Sequence, residues 1–433
     1  MNAQTTSMTQ EQAAQAAANK FLALNSGNLA AYLESCVKCG QCATACHFYE
    51  VTGDPKYTPA YKLFPMARAH RRTKWPWNWF GGPKITEAEL QEWEELLFDS
   101  CTMCGRCTQV CPMGIDISSI VAASRQAFAA AGRGPADLFA AADNVLDKGS
   151  PLGVTPAVFD GRVEWLEDDY EVNLPIDKPT ADVLLTVSSI ELMKYPKSIV
   201  AMARLLNQAK VDWTFSTQGY ESTNFGFLAG KPEIARHAIE KLVTTAEEIG
   251  AKYLIIPECG HAYGVLRWSG ANILGRPLPF TVMHITEALA QLKKEGRLKF
   301  RPIERSITYH DPCQVSRRGG ATAAARYLLE EAADFREMTP TGNYNWCCGG
   351  GGGVQAMSRA ADLRHKVFQI KMKQVEDTGA GMMLSACANC RLTMDESIEY
   401  WHWDRELESL VELLAENLVE DHPHPFDAKP HLA

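Results

Sequence analysis

Tyr309-His310-Asp311-Pro312-Cys313, Trp346-Cys347-Cys348-Gly349-Gly350-Gly351-Gly352-Gly353 and Cys387-Ala388-Asn389-Cys390 are three short runs of one C-terminal segment. Together they set out five cysteines as a single residue, an adjacent pair and a C-x-x-C. Two adjacent cysteines cannot both face one mononuclear tetrahedral zinc without strain, so a zinc site explains the C-x-x-C but not Cys347-Cys348. The pair suits a polynuclear cluster, in which one thiolate bridges metals. Gly349 and Gly350 open the run that follows; without Cβ atoms they let the backbone approach such a cluster closely.

The chain has 433 residues, 46% hydrophobic and 22% charged, which is ordinary globular composition with room for two or three domains. A net charge of −9 argues against a nucleic-acid partner. Fourteen cysteines fall into tight groups, with Cys259 alone. Disulfide frameworks belong to small secreted chains, so this usage points to a reducing, cytoplasmic compartment. Residues 1–19 show no apolar signal core, and no run of about 18 apolar residues exists, so no membrane span is expected and any membrane link must come through a partner.

Two further groups read Cys36-Val-Lys-Cys39-Gly-Gln-Cys42-Ala-Thr-Ala-Cys46 and Cys101-Thr-Met-Cys104-Gly-Arg-Cys107-Thr-Gln-Val-Cys111-Pro112. Both have the C-x2-C-x2-C-x3-C spacing of bacterial two-cluster ferredoxins. Three thiolates on a turn hold one cubane, and the fourth, where a helix begins, ligates the other. Two cubane [4Fe-4S] clusters are therefore expected. His47 replaces the usual proline after the first motif. It either packs at the helix entry or tunes the cluster by hydrogen bonding.

Around these motifs the sequence predicts helices over 10–34, 86–98 and 117–131. The aromatic loop Lys74–Pro83 packs over the clusters or forms a docking surface. Residues 132–180 read as a linker. From 181 onward, short apolar strands (181–186, 251–257, 306–309, 382–385) alternate with helices (197–208, 233–248, 321–333, 357–375). An offset of 128 lays Leu254–Ala262 on Met382–Cys390, so that Cys259 falls on Cys387. The pattern predicts a helical two-cluster domain (35–131) followed by tandem α/β cysteine-rich domains (181–300 and 301–420), the first having lost its ligands except Cys259. Cys259 is either a buried remnant or a thiol that reacts or supplements the cluster. The leucines of 406–420 read as one amphipathic helix, and 421–433 as a frayed tail in which His422 and His424 are poor metal ligands. The glycine run precedes no Lys-Ser/Thr, and no dinucleotide fingerprint is present.

Ferredoxin motifs followed by paired cysteine-rich domains resemble the HdrD-type family of heterodisulfide reductase subunits, from about Cys36 to Trp401. Cys46-His-Phe-Tyr with Gly53-Asp-Pro-Lys-Tyr-Thr-Pro-Ala is similar to the DsrK- and TmcB-type subunits of membrane redox complexes. The resemblance implies cubane ligation by Cys36, Cys39, Cys42, Cys46, Cys101, Cys104, Cys107 and Cys111. It implies one noncubane [4Fe-4S] cluster on Cys313, Cys347, Cys348, Cys387 and Cys390, where disulfide chemistry occurs. It also implies other redox subunits as partners, including a membrane cytochrome b-type, quinone-reactive subunit.

The expected function is that of an iron–sulfur oxidoreductase subunit acting on a protein or small-molecule disulfide/dithiol couple. His310 is a candidate proton donor or a structural hydrogen-bonding group. Arg317 and Arg318 either attract an acidic substrate or simply face water. The competing readings are an electron relay serving a flavin dehydrogenase, as in glycolate or lactate oxidases, and a zinc scaffold.

Overall fold

A computed structural model describes residues 9–24, 26–71, 79 and 86–419. Most of the Lys74–Pro83 loop, and His422 and His424 with the rest of the tail, lie outside the described residues.

The N-terminal part is helical. Helices Gln10–Leu24 and Gly27–Ser35 lead into the first cysteine motif, where a single helix over 10–34 was expected. Helix Glu87–Phe98 starts where predicted, because Thr86 and Glu89 form a reciprocal capping box. Asp116 caps helix Ile117–Ala130 by accepting from the Ser119 N–H. Phe21, Leu90, Leu97, Ile120 and Phe128 are buried in one core that also reaches Leu228 and Val354 of the later domains. The expected linker is instead two helices, Ala136–Lys148 and Pro156–Tyr170. Each buries a short apolar stripe: Leu138, Ala142 and Val145 in one, Phe159, Val163 and Leu166 in the other. Its acidic residues mask that stripe in the sequence.

Two four-stranded parallel sheets follow. The first comprises β1 (Val183–Leu185), β2 (Trp213–Thr214), β3 (Tyr253–Ile256) and β4 (Thr281–His284), in the order β2-β1-β3-β4. The second comprises β5 (Ile303–His310), β6 (Ala332–Phe335), β7 (Met382–Ser385) and β8 (Glu406–Ser409), in the equivalent order β6-β5-β7-β8. Helices cover the strands, which accounts for fully apolar runs such as Val183-Leu-Leu185. One hydrophobic core joins the sheets through Leu185, Ile255, Ile307, Tyr309 and Leu384.

The expected helix over 406–420 is strand β8 followed by helix Leu410–Glu416. β8 pairs with β7 in register from Met382–Glu406 to Ser385–Ser409. Parallel pairing with a buried strand overrides the helical spacing of the leucines, and Ser409 then caps the helix by accepting from Val411 and Glu412.

The 128-residue offset has a structural counterpart. Cys259 is the N-cap of helix Gly260–Leu274 after β3, and Cys387 the N-cap of helix Ala388–Trp401 after β7.

Candidate functional site

The loops beyond the C-terminal ends of β5, β6 and β7 bring the five C-terminal cysteines together. Cys313, Cys347, Cys348, Cys387 and Cys390 are all buried and share one cluster with Met338, Phe368, Met383 and Met394. Cys348 Sγ lies 3.4 Å from Cys390 Sγ. Cys347 lies beside both Cys313 and Cys104, and Cys387 beside Cys390. Contacts to Cys104 and Cys313 hold Cys347 below the ordinary thiol range, and contacts to Cys347 and Cys390 hold Cys348 well below it. Their partners Cys104, Cys313 and Cys390 are driven up in turn. A group of thiols that close supports negative charge poorly unless metal is present, so the donor set fits a thiolate-bound cluster.

His310, the last residue of β5, completes the group. One of its ring nitrogens and the sulfurs of Cys348 and Cys390 all lie within 4.8 Å of one another. Neither ring nitrogen has a hydrogen-bond partner among the described residues. Burial lowers its pKa well below 6.5, and the cations of Lys371 and Arg317 push the same way, with Asp311 opposing. Burial therefore disfavours the charged ring, and no structural hydrogen bond to it is present among the described residues; what remains is a polar ring aimed at the cluster position.

The glycine run also serves packing. A Cβ on Gly350 would stand 1.8 Å from Thr393 Oγ1, and one on Gly352 2.7 Å from the Cys101 carbonyl. The run therefore lets the Cys347–Cys348 loop lie directly against helix Ala388–Trp401 and the second ferredoxin motif. Two amides also serve the sulfurs: Gly349 donates to Cys347 Sγ at 3.5 Å, and Gly350 donates to Cys348.

Among the N-terminal cysteines the groups interleave. Cys107 is raised first by burial and then by Cys104, Cys101 and Cys46, ahead of Cys42. Cys42 is pushed up to about 11 by burial, with Cys36 and Cys111 adding to the rise. The paired motifs call for an exchange of fourth ligands, and these neighbours group the cysteines compatibly with it. An inner tetrad (Cys46, Cys101, Cys104, Cys107) lines one cavity with His47 and Lys62, and neither ring nitrogen of His47 has a partner among the described residues. The outer tetrad (Cys36, Cys39, Cys42, Cys111) reaches the surface at Cys39.

Sequence reasoning missed the residues that clamp these parts together. Arg317 is buried, not surface-exposed: its guanidinium donates to the carbonyls of Asn343 (2.5 Å), Cys104 (3.0 Å) and Asn345. Lys371 is buried beside Cys347, Cys348 and Cys390, donating to Asn345 (2.8 Å) and Gln374 (2.6 Å). Burial brings it down to about 7, while Asp311 and those thiols oppose the fall. Cys259 is buried next to Cys387, and burial and that neighbour raise it. The helix it caps donates its Gly260 amide to Cys387, so the degenerate domain still supports the site.

A cavity of about 530 Å³ opens onto Cys313, Cys348, Cys387 and Cys390. Its opposite walls carry Tyr32, His261, Trp268 and Arg318. Arg318 donates to Ser118 Oγ at 2.6 Å and pairs with Asp116 at 3.4 Å.

Comparison with known proteins agrees with this architecture. The 4Fe-4S dicluster domain family matches residues 32–115, and the cysteine-rich CCG domain family matches residues 307–395. The chain is 29% identical to the D subunit of the dihydromethanophenazine:CoB--CoM heterodisulfide reductase of Methanosarcina barkeri, over 89% of this chain and 94% of that protein. It is 26% identical to the Hdr-like menaquinol oxidoreductase iron-sulfur subunit of Archaeoglobus profundus, over 90% of this chain and 80% of that one. It is 28% identical to an EtfAB:quinone oxidoreductase of Syntrophomonas wolfei, over 81% of this chain and 52% of that one. No described helix is long and apolar enough to cross a membrane. With a 4Fe-4S dicluster domain ahead of a cysteine-rich CCG domain, the chain resembles the HdrD-type subunits of heterodisulfide reductases and their relatives over most of its length.

Proposed function

We propose that the chain is the iron–sulfur subunit of a multi-subunit oxidoreductase, working on a disulfide/dithiol couple at the five-cysteine site. Cys313, Cys347, Cys348, Cys387 and Cys390 would hold a noncubane [4Fe-4S] cluster. The outer and inner tetrads would each hold a cubane. The clusters supply one-electron carriers and a metal centre at which a sulfur can bind. The observation that carries this reading is the side-by-side placement of Cys104 and Cys347, which puts the inner tetrad against the five-cysteine site.

The protein's own groups then have defined tasks. Electrons enter at the exposed Cys39 edge from a partner, for which a quinone-reactive subunit is the class suggested by the relatives' names. Disulfide reduction consumes two electrons and two protons and yields two thiols; oxidation is the reverse. The large cavity admits the substrate sulfur to Cys313, Cys348 and Cys390. His310, neutral, orients that sulfur with one ring N–H and does not supply the proton as an imidazolium. Met338, Phe368 and Met394 bury the cysteines on the side away from the cavity, so that access is through the cavity.

The test is low-temperature EPR on anaerobically purified protein, oxidised in the presence and absence of small thiols. A paramagnetic signal that appears only with thiol supports the reading. Absence of any thiol response, with electrons accepted from a reduced flavoprotein, replaces it with the relay reading.

A further inference from the structure

Lys62 is buried in the wall of the cavity formed by Cys46, Cys101, Cys104 and Cys107. Its Nζ donates to the Leu96 carbonyl (3.0 Å), the Ser100 carbonyl (2.6 Å) and Ser100 Oγ (2.7 Å). Carbonyls only accept. Ser100 Oγ gives its own proton to the Leu96 carbonyl at 3.1 Å, so towards Lys62 it also accepts. Three protons are in use, and only an ammonium carries three. Burial disfavours the charge, whereas three acceptors matching the three protons of an ammonium, together with the cysteines Cys101, Cys46 and Cys107, favour it. Among the described residues no carboxylate lies within ion-pair distance of it. The anions acting on it are the thiolates of Cys101, Cys46 and Cys107.

Among the described residues, no cation stands among the groups acting on Cys42 of the outer tetrad. Its Cys39 is exposed, and the charged groups acting on Cys42 are Cys36 and Cys111. The cation beside it in sequence, Lys38, is itself exposed and stands 5.4 Å over the Phe64 ring. Water and salt screen a surface cation, whereas a buried one acts in a low dielectric. An added electron makes either site more negative, and a fixed buried ammonium stabilises that state at the inner site alone.

We propose that Lys62 makes the inner tetrad the higher-potential of the two cubane sites, so that an electron entering at the exposed outer tetrad resides at the inner one, against Cys347. The step is a single electron transfer, outer site oxidised and inner site reduced, with no proton moved. Lys62 is a positioning residue for charge and touches no substrate. This inference rests on the proposed reading that both tetrads hold cubanes.

The experiment is an anaerobic redox titration of the full chain followed by EPR, on wild type, Lys62→Met, Lys62→Arg and Cys39→Ser. Cys39→Ser alters an outer ligand and marks the outer signal. In wild type the marked signal must be the later of the two to appear on reduction. Lys62→Met should lower the equilibrium constant for outer-to-inner transfer at least tenfold, about 59 mV for a one-electron couple. The outer potential should stay where it was, and Lys62→Arg should restore the gap. A marked signal that appears first overturns the proposal even if Lys62→Met fails to assemble. So does a Lys62→Met protein with full iron and both potentials unchanged. If iron and sulfide counts show no pair of cubanes, the proposed function itself fails; two cubanes of equal potential sink only the present inference.

Discussion

Cys104, from the second N-terminal motif, lies beside Cys347, from the loop after β6, across an interface between separately coded parts of the chain. Arg317 fastens that contact by donating to the Cys104 carbonyl while also holding the Asn343 and Asn345 carbonyls.

Arg317→Met should therefore loosen the junction. It strips a donor from three carbonyls, and a buried polar group left unsatisfied costs about 1–3 kcal/mol. We expect a loss of roughly 3 kcal/mol or more in urea unfolding. The magnetic interaction between the inner cubane and the five-cysteine site should weaken. An exposed control, Lys373→Ala, removes a surface pair with Asp377 and should leave the unfolding midpoint in place.

Gly350→Ala forces a methyl group to 1.8 Å from Thr393 Oγ1, inside any tolerable contact. Overpacking of this kind costs about 1–3 kcal/mol, and here it displaces the loop that carries Cys348. The expected outcome is reduced stability with loss of the iron beyond that of the two cubanes. Gly161→Ala, with open space around it, should leave both properties intact.

His284 is buried at the end of β4, and burial lowers its pKa to about 3. The folded protein keeps it neutral, while the unfolded chain protonates it below its ordinary value of about 6.5. Stability is thus fully present above about 6.5 and is lost as pH falls towards 3, by up to about 1.4 kcal/mol per pH unit. His284→Gln should flatten this acid limb. Unfolding measured at neutral pH and at about pH 5.5 should show the gap between wild type and variant narrowing at the lower pH.

Cys104→Ser removes a ligand of the inner tetrad that also touches Cys347. Electron delivery from a low-potential reductant to the five-cysteine site should stop, while the outer cubane's EPR signal persists.

The motifs were legible because cluster ligation forces fixed spacings into the chain, as in Cys101–Cys111 and Cys387–Cys390. β7 was readable in full because both its faces are buried and its four residues form an uninterrupted run before Cys387. β2 and β6 were not, being two and four residues long and held by pairing with a neighbour more than by their own pattern. Arg317, Lys62 and Lys371 were illegible for a different reason. A charged side chain reads as surface in sequence, and only the fold shows carbonyls and amide oxygens collected around it.

The central claim, that five remote cysteines hold a cluster of their own beyond the two cubanes, is tested most directly by counting metal. Iron and acid-labile sulfide should be measured per chain in anaerobically purified wild type and in Cys348→Ser. The account predicts enough of both for three [4Fe-4S] clusters in wild type and for two in the variant, with both cubane signals retained. Equal counts in the two proteins, or zinc in place of the third cluster, would contradict it.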